Sequence, residues 1–349
     1  MVFDRNKNSY NYETFLDFQG KKMNTDKDTG WIRHRSESPS CSATKDIESI
    51  LFFKVLSCKD VADSRNGGAL SVGRGIGMAV TPADAATVIL LRQGNGEGQG
   101  FEVLMALRNS RSAFVPGSYV FPGGRVEEKD CLRDMENFCD GPDLTRAQGA
   151  LDGVSLSERG LAIWIAAIRE TFEEVGILFA CQRDGTLLSF DPDDIDRRFL
   201  SYRERVHGGE LDFTEVLRME ELTLALDRLH YFSHWITPEL SPIRYDTRFF
   251  VAEVPPDQEA LHDGDELTKH LWITPAEALE GYRQQILHMV IPTIVTLEEL
   301  CCFETIGDVL QSTRGKDITG VLTRMVLEGG EIQEHAPDGR IFRNLVPPR

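Results

Sequence analysis

Three glutamates, Glu170, Glu173 and Glu174, fall within the nine residues RETFEEVGI, Arg169 to Ile177. Positions i, i+3 and i+4 are neighbours on one face of an α-helix, so the three carboxylates crowd together and repel one another. Such an oxygen cluster calls for a cation, and hard divalent ions such as Mg²⁺ or Mn²⁺ prefer these ligands. Gly176 suits the C′ position that ends the helix. An isolated acidic trio, with Arg169 and Glu173 spaced as an i, i+4 pair, is ordinarily a solvated helix face. The upstream segment FPGGRVEE, Phe121 to Glu128, reverses that preference. There an apolar strand ending SYVF runs into Pro122, Gly123 and Gly124. Paired glycines let the backbone turn sharply and approach a ligand without a Cβ in the way. They also leave carbonyl oxygens free to meet a metal.

Strand, glycine pair and acidic helix together resemble the Nudix hydrolases, whose box reads G-x5-E-x7-R-E-U-x-E-E-x-G-U with U apolar. Gly124 matches the opening glycine, Arg169 the arginine, Glu170, Glu173 and Glu174 the helix carboxylates, and Gly176 and Ile177 the close. The resemblance implies that the glutamates hold divalent metal against the pyrophosphate of a nucleoside diphosphate linked to another group. Two departures stand out. Asp130 occupies the position of the first box glutamate, and 38 residues separate it from Arg169 where the pattern has seven. The box is therefore split by a polar, turn-rich segment, about 131–157, expected to be a surface insertion that leaves both halves of the site intact. Thr171 also replaces an apolar residue, which a half-buried helix absorbs.

The split box is similar to that of a Nudix branch, the peroxisomal coenzyme A diphosphatases. So are AATVILLR (Ala85 to Arg92), LRNSRSAFVPGSYVFPGG (Leu107 to Gly124), HWITPELSPIRYDTRFFVA (His234 to Ala252) and LWITPAEAL (Leu271 to Leu279). Arg108 and Arg111, ahead of the glycines, are similar to the coenzyme A signature of that branch without matching it closely enough to fix the substrate. The C-terminus NLVPPR is not a peroxisomal address of the SKL type, so the compartment is not carried over.

These residues must be positioned by the elements around them. Thr87–Leu91 and Val103–Leu107 read as strands, Tyr119–Phe121 leads into the glycine turn, and Leu161–Val175 is an amphipathic helix offering Ile163, Trp164, Ala167, Ile168 and Phe172 to a core. Ile177–Ala180 reads as a strand and 192–228 as mainly helical. Arg248–Glu253 and His270–Ile273 read as strands, and Ala276–Val295 as a helix broken near Pro292. The alternation fits an α/β/α sandwich with a mixed sheet, a helical insertion within the box and additional C-terminal helices. Residues 1–77 are polar, their apolar run ILFFKVLSC is too short to span a membrane, and they are expected to be disordered, with Met78 a candidate start. A Nudix domain is expected over 78–310 and a tail over 311–349.

The net charge of −18 on 349 residues argues against a nucleic-acid or anionic-membrane binder. It also obliges an anionic substrate to find local cations. Arg108, Arg111, Arg125, Arg244 and Arg248 are the candidates, with Arg108, Arg111, Gly123, Gly124 and Arg125 expected to touch substrate. Glu170 and Glu174 bind metal, with Glu173 and a carbonyl of Gly123 or Gly124 completing the shell, and Arg169 orients the acids. The general base is Glu173, or Glu266 in the loop HDGDELT. His234 and His262 read as structural. Seven scattered cysteines fit reduced thiols in a cytoplasmic protein. Two functions remain open: a metal-dependent pyrophosphohydrolase of coenzyme A, acyl-coenzyme A, ADP-ribose or NADH, and a Nudix-fold sensor that binds such a small nucleotide conjugate without cutting it. The full carboxylate set favours the enzyme, and a homodimer is compatible with either.

Overall fold

The structure, a computed structural model, describes residues 80–94, 100–131, 133–139, 158–190, 193–328 and 331–343. The expected extension 1–77, the start at Met78 and most of the insertion lie outside them.

Long β-branched and leucine-rich runs build a central sheet. Its strands are β1 (Ala83–Gln93), β2 (Phe101–Arg108), β3 (Tyr119–Val120), β4 (Gly123–Arg125), and then β7 (His230–Ile236), β8 (Tyr245–Glu253), β9 (Leu267–Ile273) and β10 (Val321–Leu322). The pair β5 (Ala180–Cys181) and β6 (Thr223–Leu224) stands apart from this sheet. The order is β10-β7-β8-β1-β2-β3, with β4 on β1 and β9 on β2. β1 runs parallel to β8 from Ala83 opposite Tyr245 to Leu91 opposite Glu253. On its other edge β1 divides its partners. Leu91–Gln93 pair with β2, whereas Ala85–Thr87 pair with β4. The sheet thus forks, and the glycine pair lies on one arm.

Alternation along the strands makes two cores. Val88, Leu90, Leu104 and Phe250 face one side, where the helices α1 (Glu158–Val175), α2 (Asp193–His207) and α3 (Phe213–Met219) pack. Ile89, Leu91, Val103 and Phe249 face the other, against α4 (Pro275–Arg283), α5 (Ile291–Leu300) and α6 (Ile306–Ser312). Period-2 alternation with both faces covered is what a three-layer sandwich requires. The expected α/β/α class is borne out.

Several local expectations change. Only Ala180–Cys181 of the segment after α1 is a strand, because the Gln258 side chain takes up the backbone of Leu178: its Oε1 accepts from Leu178 N at 2.8 Å and its Nε2 donates to Leu178 O at 3.1 Å. The helix over Ala276–Val295 is two helices. The break falls at Gln285, which has φ +59°, and Pro292 sits in the first turn of α5, where its missing donor costs nothing. The stretch expected as a tail contains β10, which joins the central sheet beside β7, and a meander of β11 (Arg324–Glu328), β12 (Glu331–His335) and β13 (Ile341–Arg343). The insertion begins with short 3-10 turns, Glu128–Cys131 and Arg133–Phe138, before passing outside the described residues.

Candidate active site

α1 is buried on all sides from Leu161 to Ile168 and turns polar at Arg169. Thr171, in an apolar position of the box, is buried with its hydroxyl donated to Ala167 O at 2.7 Å, so no polar atom is stranded. Gly176 closes the helix at φ +77°, its N–H donating to Phe172 O at 3.0 Å.

Arg169 is only 1% exposed and holds both halves of the split box together. Its Nε and Nη2 donate to the two oxygens of Asp130 at 2.8 and 2.9 Å, a bidentate fork. Nη1 donates to Glu170 Oε1 at 2.9 Å and Glu173 Oε1 at 3.1 Å, and Nη2 also reaches Arg125 O at 3.1 Å. Burial pulls the guanidinium pKa down, but Asp130, Glu170 and Glu173 outweigh it and hold the charge in place. Asp130, the departure from the box, suffices here because the turn Glu128–Cys131 carries it inward, where it also accepts from Glu127 N at 2.8 Å.

The two glycines make room for the acids. A Cβ on Gly124 would stand 2.5 Å from the Glu170 carboxylate. Gly123, at φ +151°, donates its N–H to Glu174 Oε2 at 2.7 Å, and a Cβ there would run into Ala86 O and Thr87 Cα. Where the sequence predicts a turn, the pair forms strand β4, whose pairing to β1 aims the Gly123 amide at the helix.

Glu170 and Glu174 are thereby packed together, and the cations beside them, Arg169 on Glu170 and Arg108 near Glu174, do not offset their desolvation. Burial pushes the Glu170 carboxyl up to about 7, with Arg169 opposing and the charges of Glu173 and Glu266 adding to the rise. Glu174, 3% exposed, is held well above the carboxylate range by burial and by Glu170, against the pull of Arg108 and the Gly123 amide. Two desolvated acids that resist ionisation side by side are suited to a cation. Glu173 faces elsewhere, toward Arg169 and Lys129, whose Nζ lies 3.8 Å away. Among the described residues no three acidic, histidine or cysteine side chains converge into a complete metal-binding group.

Arg108 closes the opposite side. It ends β2 where the register with β9 shifts, its Nε is buried without a hydrogen-bond partner, and its Nη2 lies 4.0 Å from Glu266 Oε2. Glu266 is half exposed on a tightly tied loop. Asp263 Oδ1 accepts from the backbone N–H of Asp265 and Glu266, both at 2.6 Å, and Asp263 N donates to Glu174 O at 3.0 Å. Arg203 caps the end of α1, donating from Nε to Glu173 O at 3.0 Å and from Nη2 to Glu174 O at 2.7 Å.

Other candidates fall outside this group. Arg111 and Arg125 are exposed, and among the described residues no hydrogen bond or ion pair holds either side chain. Arg244 donates to Thr237 O and Val80 O, and Arg248 pairs with Asp84 and Asp246, so both are tied to structure. His234 pairs with Asp246, and His262 Nδ1 lies 3.2 Å from His270 Nδ1. Asp263 is discernible in HDGDELT as the start of an Asx turn. Arg203, on a mixed helix face some thirty residues away, carries no signal in the sequence.

A forked mixed sheet between helices, with a glycine pair facing the buried acids of a box helix, is the architecture of a Nudix hydrolase. The family described as the NUDT19 Nudix domain matches residues 82–300, and the chain belongs to it. It is similar to the acyl-coenzyme A diphosphatase NUDT19 of Xenopus laevis, 29% identical over 247 residues, covering 63% of this chain and 65% of that protein. The Homo sapiens protein of the same name is 25% identical over 252 residues, covering 64% and 66%. The chain thus spans a little under two thirds of the length of these curated relatives. A crystal structure of a NUDIX hydrolase from Alicyclobacillus acidocaldarius superposes with a TM-score of 0.55 at 27% identity, covering 66% of this chain and 96% of that one. Among the described residues no helix is long and apolar enough to cross a membrane.

Proposed function

We propose that this protein is a metal-dependent Nudix diphosphatase that cleaves the pyrophosphate of coenzyme A or an acyl-coenzyme A. The observation that carries the proposal is the pairing of two acids, part-buried Glu170 and buried Glu174, against the glycine pair, with Arg108 facing them. Support for the substrate comes from the relatives named acyl-coenzyme A diphosphatase.

Glu170 and Glu174 would hold Mg²⁺ or Mn²⁺, with Glu173 as a third donor once it turns from Arg169. The donor set fits, being all oxygen and poorly neutralised without a cation. When bound, the cation supplies charge neutralisation at the phosphate oxygens and a more acidic water. The protein does the rest. Arg169 keeps Glu170 oriented, Gly123 N–H fixes Glu174, and Arg108 pairs with a phosphate oxygen. Glu266 accepts a proton as water attacks one phosphorus; the new P–O bond forms while the bond to the bridging oxygen breaks, and the second phosphate leaves. Glu173 is the other base to be tested. Arg111 and Arg125, both exposed, would extend the cationic contact to a substrate that reaches them, and the Gly123–Gly124 backbone would lie along the diphosphate. The protein's partner is then a small nucleotide conjugate, without nucleic acid or membrane, met in the cytoplasm, and a homodimer is compatible with this chemistry.

The test is turnover of a panel of coenzyme A, acyl-coenzyme A, ADP-ribose and NADH with Mg²⁺ or Mn²⁺. Coenzyme A should yield 3′,5′-ADP and 4′-phosphopantetheine. A clear preference for ADP-ribose or NADH would overturn the substrate assignment, and tight binding without cleavage would mark a sensor instead.

A further inference from the structure

Two loops 156 residues apart meet beside the acids, and one side chain joins them. Asn109 follows Arg108 at the end of β2. Its backbone N–H donates to Glu266 O at 2.9 Å and its side-chain Nδ2 donates to Asp265 O at 2.8 Å. Its Oδ1 accepts from Arg111 N at 3.0 Å, and its own carbonyl accepts from Ser112 N at 2.9 Å. One residue therefore folds the arginine-bearing turn and fastens it to the loop carrying Glu266.

The other end of that loop is secured separately. Asp263 N bonds to Glu174 O at 3.0 Å, and the Asp263 carboxylate gathers the amides of Asp265, Glu266 and Leu267. Gly264, at φ +88°, makes the tight turn possible. Glu266 is thus suspended between the box helix and Asn109. Its side chain is 55% exposed and touches only Arg108, at 4.0 Å, among the ion pairs of the described residues, so its place depends on its backbone.

We infer that Asn109 is a positioning residue for Glu266, setting the base and Arg108 on the same side of the acids. This rests on the proposed hydrolase activity with Glu266 as base. An amide side chain suits this place, since Nδ2 donates to one carbonyl while Oδ1 accepts from an amide; a carboxylate lacks the donor, and a serine hydroxyl offers one oxygen, set closer to the backbone, in place of two separate polar atoms. A misplacement of about 1 Å in a catalytic group costs on the order of a hundredfold in rate.

The experiment is a double-mutant cycle on the full chain with coenzyme A and Mn²⁺, using Asn109→Ala, Asn109→Ser, Glu266→Ala and both double variants. Serine keeps an oxygen that closes the turn onto Arg111 N but loses the donor to Asp265 O. Both Asn109 variants should lower kcat roughly tenfold or more, change KM less than about threefold, and shift the acid limb of the kcat–pH profile. In the Glu266→Ala background either should change kcat far less than it does with Glu266 present, because the base is gone and only the turn beside Arg108 is left to hold. Additive losses, wild-type kcat in Asn109→Ser, or wild-type kcat in Glu266→Ala would each overturn the inference. Melting temperatures identify a variant that fails to fold, and the serine cycle then decides if alanine does. A wild-type chain inactive on the whole panel would instead defeat the hydrolase assignment and this inference with it.

Discussion

Gly124 and Glu170 compete for the same space: any side chain on residue 124 would begin 2.5 Å from the Glu170 carboxylate. The glycine is therefore part of how the acid is placed, beyond the flexibility it lends the chain. Gly124→Ala should push Glu170 off the β4 backbone and lower turnover by roughly a hundredfold, with Mn²⁺ affinity weakened in parallel. Steady-state rates against Mn²⁺ concentration check this, and unchanged metal dependence would contradict it.

Glu174→Gln should abolish turnover while the fold survives. It removes the charge of a proposed metal ligand but keeps an oxygen able to accept the Gly123 N–H. Losses of orders of magnitude are usual when a cation both binds substrate and activates water. Activity within about threefold of wild type would sink the assignment.

Acid–base linkage gives a prediction without substrate. The Glu170 carboxyl is pushed up to about 7 by burial, from 4.5 when unfolded. Between those values the folded chain keeps a proton that the unfolded chain has lost, so metal-free stability falls as pH rises through the window, and Glu174, held up by the same burial, adds a fall of the same sign. The melting temperature without metal should be higher near pH 5.5 than at pH 8, Glu170→Gln should reduce the slope to the part that Glu174 carries, and excess Mn²⁺ should restore stability at pH 8. A wild-type slope no steeper than that of Glu170→Gln would refute this.

Breaking the fork between Arg169 and Asp130 should be costly. Asp130→Ala leaves a guanidinium 1% exposed without its bidentate partner, and removing one member of a buried pair typically costs about 3–5 kcal/mol. Urea denaturation should show that loss, and a change under about 1 kcal/mol would mean the pair is solvated.

The 3′-phosphate of coenzyme A offers a specificity test. If Arg108 and Arg111 meet that extra charge, 3′-dephospho-coenzyme A should be a poorer substrate, and Arg111→Ala should shrink the difference. Equal rates on both substrates in the wild type would remove these arginines from recognition of the 3′-phosphate.

The sandwich and the core of the candidate site are legible in the sequence because their signals are local. The spacing of Glu170, Glu173 and Glu174 states a helix face, and Gly123–Gly124 states a close approach. What stays hidden depends on distant partners. Nothing around Ile177–Ala180 announces that Gln258 will take its backbone, and nothing around Asn109 announces Asp265 and Glu266. Glu173 follows the helix pattern and its i, i+4 pair with Arg169 is read from the spacing, whereas the approach of Lys129 from the other half of the box is not. The strands at 321–343 give little signal because their apolar positions are few and sit among charged residues.

The buried fork of Arg169 onto Asp130 also explains why so long a segment can sit inside the motif. Spacing the two halves by 38 residues instead of seven adds at most ~1.5 kcal/mol of chain-closure entropy, less than the roughly 3–5 kcal/mol lost when one member of a buried pair is removed. The chemistry is therefore indifferent to covalent continuity between its two halves. A protease nick inside the insertion should leave a complementing pair of fragments that copurify and still turn over substrate, and the insertion becomes a place to splice in a reporter or an unrelated domain.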